Sequence, residues 1–170
     1  SIEVFDGFSS SYGASVPELA SNALGSAFYI GQNMAWDEVR IYPKFSFHRT
    51  SYAPQRPDVL GKNLSQEILK DYNGQTYWLS IDLDKFGRFP TWLNLAVGYG
   101  ADGMITARND FSSVYTPVRQ YYLGLDLDLT AIHPKSKALK AVVFFANMIK
   151  VPFPAIEFSK NKTKVYALYF

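Results

Sequence analysis

Two short acidic patterns carry most of the chemistry this chain could do. Ile81-Asp-Leu-Asp84 and Leu125-Asp-Leu-Asp128 each place two carboxylates at alternate positions. Alternate residues of a strand share a face, so Asp82 would stand beside Asp84, and Asp126 beside Asp128. On neighbouring strands all four would gather, and they would then need an arginine, a lysine or a cation. They are the weak candidates for calcium. The plainer expectation is a solvated strand end with no metal and no cofactor. Two other stretches mix hydrogen-bonding and aromatic side chains, Asp71-Tyr-Asn-Gly-Gln75 and Arg119-Gln-Tyr-Tyr122. Asp71, Asn73, Gln75, Arg119, Gln120 and Tyr122 would line a cavity for a sugar or lipid head group, or else form a network that satisfies the sheet interior.

Other chemistries are poorly served. Gly98-Tyr-Gly-Ala-Asp-Gly103 fits G-x-G-x-x-G, but a dinucleotide loop must open a helix inside a βαβ unit. Here Met104-Ile-Thr106 follows, so a glycine-rich strand end and turn is expected, and no nucleotide. The two histidines, His48 and His133, are not at ligand spacing, and with no Cys there is no thiolate metal site, disulfide or cysteine nucleophile. No phosphate-binding loop, nucleophile elbow or H-E-x-x-H pattern occurs. A net charge of +2 over 170 residues gives no electrostatic case for nucleic acid.

The elements that must hold these residues follow from periodicity. Ser15 and Glu18 form a capping box, and apolar residues recur at helical spacing from Leu19 to Ala35. Ala23, Ala27 and Gly31 make a row of small residues, expected on a buried helix face. A short helix is expected over 64–72, capped by Asn63, and another over 137–149, stopped by Pro152 and Pro154. The remainder alternates with period two. Tyr77, Leu79, Ile81 and Leu83 face one way, Leu93, Leu95, Val97 and Tyr99 likewise, and Tyr121, Leu123, Leu125 and Leu127 likewise. Weaker strands are expected over 40–48 and 153–159, and a last one over 164–170 makes six.

Such alternation fits an antiparallel sheet with a watered polar face, or an outer-membrane barrel whose apolar face meets lipid and whose inner face is polar or small. Aromatics are 16% of the chain and charged residues 19%, and tyrosines stand at strand ends. The expected fold is therefore mainly antiparallel β, outer-membrane-barrel-like, with two or three packed helices. The alternative is a soluble α+β fold with helices on one face of the sheet. One domain over 1–170 is expected, with a helical opening segment over 1–38 and a strand-rich part over 39–170. Tyr166, Leu168 and Phe170 are expected to share one apolar face of the last strand, in the manner of a barrel assembly signal.

Several stretches together resemble a known family: Ile2-Glu-Val-Phe-Asp-Gly-Phe8, Asn22-Ala-Leu-Gly25, Leu69-Lys-Asp-Tyr-Asn-Gly-Gln-Thr-Tyr-Trp-Leu-Ser80, Trp92-Leu-Asn-Leu-Ala-Val-Gly-Tyr-Gly100, Arg119-Gln-Tyr-Tyr122 and Leu168-Tyr-Phe170. They are similar to the YfiM-like family of predicted periplasmic or outer-membrane lipoproteins, in its longer Bacteroidota form. The resemblance covers nearly the whole chain. Longer members begin with a signal peptide and a helical stretch with an Asp-Lys-x-x-His-type motif, which this chain lacks. The resemblance implies localisation in the outer membrane or periplasm of a Gram-negative bacterium. It also implies a polar site to which this chain would supply Glu3, Asp6 and Asn22.

The function expected is a non-enzymatic outer-membrane component, an accessory or structural subunit meeting outer-membrane lipid and an envelope protein complex. The alternatives are a soluble periplasmic module binding a glycan or lipid head group, and an envelope enzyme acting on lipid or glycan through Glu3 and Asp6.

Overall fold

The computed structural model describes residues 16–105, 116–160 and 162–170. The chain divides into two compact units, Ser1–Arg40 and Ile41–Phe170. In the first, α1 (Val16–Trp36) runs for 21 residues. Asp37 ends it with φ of 58°, its N–H donating to the Asn33 carbonyl at 2.9 Å. Aspartate tolerates this left-handed conformation better than most residues. The row Ala23, Ala27 and Gly31 is exposed, not buried as its small side chains suggest. Ser15, the expected cap, lies outside the described residues, as do Glu3 and Asp6.

The second unit is a six-stranded antiparallel meander in the order β1 (Ile41–Phe47), β2 (Gln75–Asp82), β3 (Leu93–Asp102), β4 (Val118–Leu127), β5 (Phe153–Ser159), β6 (Lys162–Tyr169). Between β1 and β2 lie two short helices, α2 (Pro57–Leu60) and α3 (Leu64–Lys70). The Asn63 side chain caps α3 by accepting from the Gln66 N–H at 3.0 Å. Between β4 and β5 runs α4 (Lys137–Ala146).

Mainly antiparallel β with helices is thus the fold, and its six strands fall where the alternation puts them. In β2 and β4 the alternation stops earlier than the sequence suggests. Leu83–Lys85 and Leu129–Ala131 are single 3-10 turns. Asp84 and Asp128 therefore stand just past the strands and not on their faces.

The alternating rows are inverted relative to a water-soluble sheet. Across the strands, Ser80 pairs with Ala96, Ala96 with Gly124, and Gly124 with Ala155. That row is buried. One residue along, Leu79 pairs with Val97 and Val97 with Leu123. These three are 45%, 45% and 41% exposed. Along β4 the even-numbered residues from Tyr122 to Asp126 are buried, and the odd ones between them are exposed or half-exposed. The polar and small face is inside and the apolar face is outside.

The sheet curls around that inner face. Lys150 N–H donates to the Phe45 carbonyl on the outer edge of β1, and Phe45 N–H donates to Met148. Only three residues later, Phe153 opens β5 opposite Tyr169 of β6. Three residues span at most about 10 Å, so the edge of β1 lies near β5. Side chains bridge the same space. The Thr76 and Tyr169 hydroxyls of β2 and β6 are 3.1 Å apart. Small inner residues make the curl feasible, because a methyl on Gly98 would lie 2.6 Å from the Trp78 ring. Among the described residues, no strand pairs with the outer edge of β6.

Residue order along β6 departs from simple alternation. Ala155 pairs with Tyr166, but Phe153 pairs with Tyr169, so β6 carries one extra residue. This β-bulge shifts the side-chain phase. Tyr166 and Tyr169 both point inward, while Leu168 is exposed. The expected common face of Tyr166, Leu168 and Phe170 is therefore split. Tyr166 belongs to the polar interior, and Phe170, just past the strand, is exposed.

Candidate functional site

Two polar centres occupy the inner face, separated by the aromatic layer of Trp78, Tyr122 and Tyr169. Their rings pack with centroids 4.6–5.8 Å apart. The first centre gathers around a buried ion pair. Lys44 Nζ lies 2.7 Å from Asp126 Oδ2, with both side chains fully enclosed. Lys44 also donates to the Leu127 carbonyl and to Asn147 Oδ1, each at 2.9 Å. Ser80 Oγ donates to Asp126 at 2.7 Å, and Asn94 Nδ2 donates to Ser80 at 3.1 Å. A buried charge persists only when paired and hydrogen-bonded; Asp126 Oδ2 is held in this way, while Asp126 Oδ1 has no hydrogen-bond partner among the described residues. Lys150 Nζ stands 4.7 Å over the Trp78 ring, and burial lowers its pKa.

The neighbouring acids behave differently. Asp82 is buried, and desolvation first, then a hydrogen bond and repulsion from Asp84 and repulsion from Asp128, push its carboxyl up to about 7. Asp128 instead turns to the Thr130 N–H and hydroxyl, at 2.7–2.8 Å. Among the described residues no three acidic or histidine side chains are arranged to hold a metal ion. The cation that the acidic pattern calls for is supplied to Asp126 by Lys44. The expected solvated strand end is corrected too, since Asp82, Asp126 and Asp128 are buried.

The second centre lies toward the opposite ends of the strands and opens into a cavity of about 400 Å³. Glu157 of β5 is buried in its wall. Its Oε1 accepts from Gln120 Nε2 at 3.1 Å, its Oε2 from the Tyr166 hydroxyl at 2.7 Å, and Lys164 Nζ is 3.8 Å away. The Tyr122, Tyr166 and Tyr169 hydroxyls are all raised in pKa by burial first, with the Glu157 charge adding to it. At the rim, the His48 ring meets Tyr169 edge-on at 5.8 Å. Desolvation lowers the His48 pKa, against the opposing pull of Asp71, Asp102 and Glu157.

Residues expected to share a cavity are divided by the fold. Asn73, Gln120 and Tyr122 line it. Asp71 stands behind, accepting from the Thr50 hydroxyl and from Asn73 Nδ2. Asn73 in turn holds the chain beyond β3, accepting from the Met104 N–H at 2.6 Å and donating to its carbonyl at 3.0 Å. Gln75 is spent on the Ile68 carbonyl and the Tyr77 hydroxyl, which ties α3 to β2. Arg119 is exposed beside Tyr121 and Phe158, away from its neighbour Gln120. Adjacent strand residues point to opposite faces, so Arg119 and Gln120 cannot both line one cavity. Asn22 is exposed on α1. Gly98 and Gly100 sit inside β3, and Gly103 makes the following turn with φ of 77°, so the glycine pattern opens no helix.

Lys44, His48, Asp102, Glu157 and Lys164 are absent from the sequence-based site. A lone Lys or Glu within an apolar alternation, as in Phe45–Phe47 preceded by Lys44 or in Phe153–Ser159, is the signal that would have found two of them. No protein-family model, curated protein or solved structure matches this chain.

Proposed function

We propose that this protein is a non-enzymatic component of a Gram-negative outer membrane, a curved β wall that meets lipid on its outer face and serves an envelope complex. One observation carries the reading: a charged pair, Lys44 and Asp126, is enclosed while Leu79, Val97 and Leu123 are not. Water favours the reverse arrangement, and contiguous exposed apolar surface of this kind belongs to an interface with protein or lipid. Tyr77, Tyr99 and Tyr121 continue the exposed rows toward one end, and aromatic residues suit the boundary between lipid and water. No described helix is long and apolar enough to span a membrane, so contact with lipid falls to the strands. Barrels of this class need at least about eight strands, and among the described residues no strand pairs with the outer edge of β6. That edge supports a role beside further strands of a complex.

The test is membrane fractionation followed by extraction. The protein is expected in the outer-membrane fraction, soluble only with detergent, and with gel mobility that changes on heating. Deleting Phe170 is expected to lower its membrane yield while synthesis continues. Recovery as a detergent-free monomer would overturn the reading in favour of a soluble periplasmic module, which the 400 Å³ cavity favours. An enzymatic reading would rest on Glu3 and Asp6, which lie outside the described residues.

A further inference from the structure

We infer that the cavity beside Glu157 is a binding site for a sugar that carries no negative charge. The inference stands on the cavity alone and is independent of membrane contact. Its volume, about 400 Å³, falls in the range of small-molecule sites, roughly 300–1,000 Å³. Charge narrows the ligand first. Among the described residues the lining contains two acids, Asp102 and Glu157, and one lysine, Lys164, which is directed at Glu157. Burial lowers the His48 pKa, which favours the neutral imidazole. Among the described residues no arginine lines the space. A phosphate, sulfate or carboxylate would meet net negative charge and, among the described residues, no uncommitted cation to pair with.

Hydrogen-bonding capacity narrows it further. Among the described residues the Asp102 carboxylate forms no hydrogen bond or ion pair, and the His48 ring nitrogens form none. The Gln120 amide gives its N–H to Glu157, which leaves its carbonyl oxygen to accept. The lining thus offers a carboxylate, an amide oxygen, an imidazole with one donor and one acceptor, and tyrosine hydroxyls. Groups that both donate and accept match this mixture, and hydroxyls do so. The wall behind is aromatic. Tyr166 and Tyr169 meet at 5.0 Å, and Tyr122 and Tyr169 at 4.6 Å. Such rings take the C–H face of a ligand, while planar polar side chains take its edge. A pyranose has both a C–H face and a hydroxylated edge. The same chemistry arises in a free glycan or in the head group of an uncharged glycolipid.

Isothermal titration calorimetry on the full chain in a zwitterionic, sugar-free detergent tests this. Three probes are titrated: chitotriose and maltotriose as free glycans, and dodecyl maltoside as a lipid-borne sugar. Glucose 6-phosphate is the anionic control. Saturable one-site binding of any of the three is expected, and which one saturates identifies the source. Glucose 6-phosphate is expected to give no binding heat. Asp102→Ala and Gln120→Ala should each weaken binding at least tenfold, while the circular dichroism spectrum matches the parent. Leu24→Ser on α1 should bind as the parent does. Absence of saturable heat with all three probes, equal affinity for the phosphorylated sugar, or parent-like affinity in both cavity variants would overturn the assignment. Each result can be read whether or not the protein fractionates with membranes.

Discussion

Lys44 Nζ and Asp126 Oδ2 meet at 2.7 Å inside the curl of the sheet, joining β1 to β4 across two intervening strands. Neither strand hydrogen-bonds the other, so this contact exists only because the sheet is bent around its polar face. Removing one partner leaves a buried, unpaired charge, a cost of about 3–5 kcal/mol. Replacing both with apolar residues avoids it. Lys44→Met is therefore expected to be severely destabilised in urea titration, and Lys44→Met with Asp126→Leu to recover most of the loss. An additive double variant would mean that the pair is not coupled.

The exposed rows give a second expectation. On the proposed lipid contact, Leu123→Asp, and likewise Val97→Asp, should reduce membrane yield, because a charge on a lipid-facing strand costs up to about 2–4 kcal/mol at mid-depth and less for Asp. Leu123→Val should not. A Cβ at Gly124 would lie 2.8 Å from the Pro154 carbonyl oxygen and 2.9 Å from the Ala155 Cβ. Gly124→Ser is therefore expected to destabilise the sheet through collision with β5.

Gly98 faces Trp78 on one side and Tyr122 on the other. Gly98→Ala forces the methyl into the Trp78 ring at 2.6 Å, and overpacking of this kind costs about 1–3 kcal/mol. Lower unfolding resistance and an altered near-ultraviolet circular dichroism band are expected. Gly25→Ala, where nothing lies within 4 Å of the added carbon, serves as the contrast and should not destabilise.

Asp82 makes stability depend on pH. Its carboxyl is pushed up to about 7 from 3.8, so the folded chain holds the proton more tightly than the unfolded chain. That contribution is fully present below about pH 4 and is lost as pH rises through about 7. Asp82→Asn stays neutral throughout. Parent and variant should have similar melting temperatures at pH 4, and the variant should melt higher at pH 8. A constant difference between them across this range would assign the effect to packing instead.

Much of the architecture is local and therefore legible in the chain. Period-two alternation marks all six strands because successive side chains of any strand must face opposite ways, and 153–159 coincides with β5 to the residue. Asn63 announces α3 through its own side chain. What alternation leaves open is which face is inside, since the period is the same for both. That was settled by the curl, where Ala96, Gly98, Gly124 and Ala155 let the strands close around polar groups. Three of the six residues expected to share a cavity, Asn73, Gln120 and Tyr122, do line it, because hydrogen-bonding and aromatic side chains cluster in those two stretches. Arg119 and Gln75 then parted from them when the pleat sent neighbours to opposite faces. Tyr166 turned inward because one extra residue in β6 shifted the side-chain phase. Lys44 and Glu157 acquired their roles from partners distant in sequence, and only the folded sheet brings such partners within hydrogen-bonding distance.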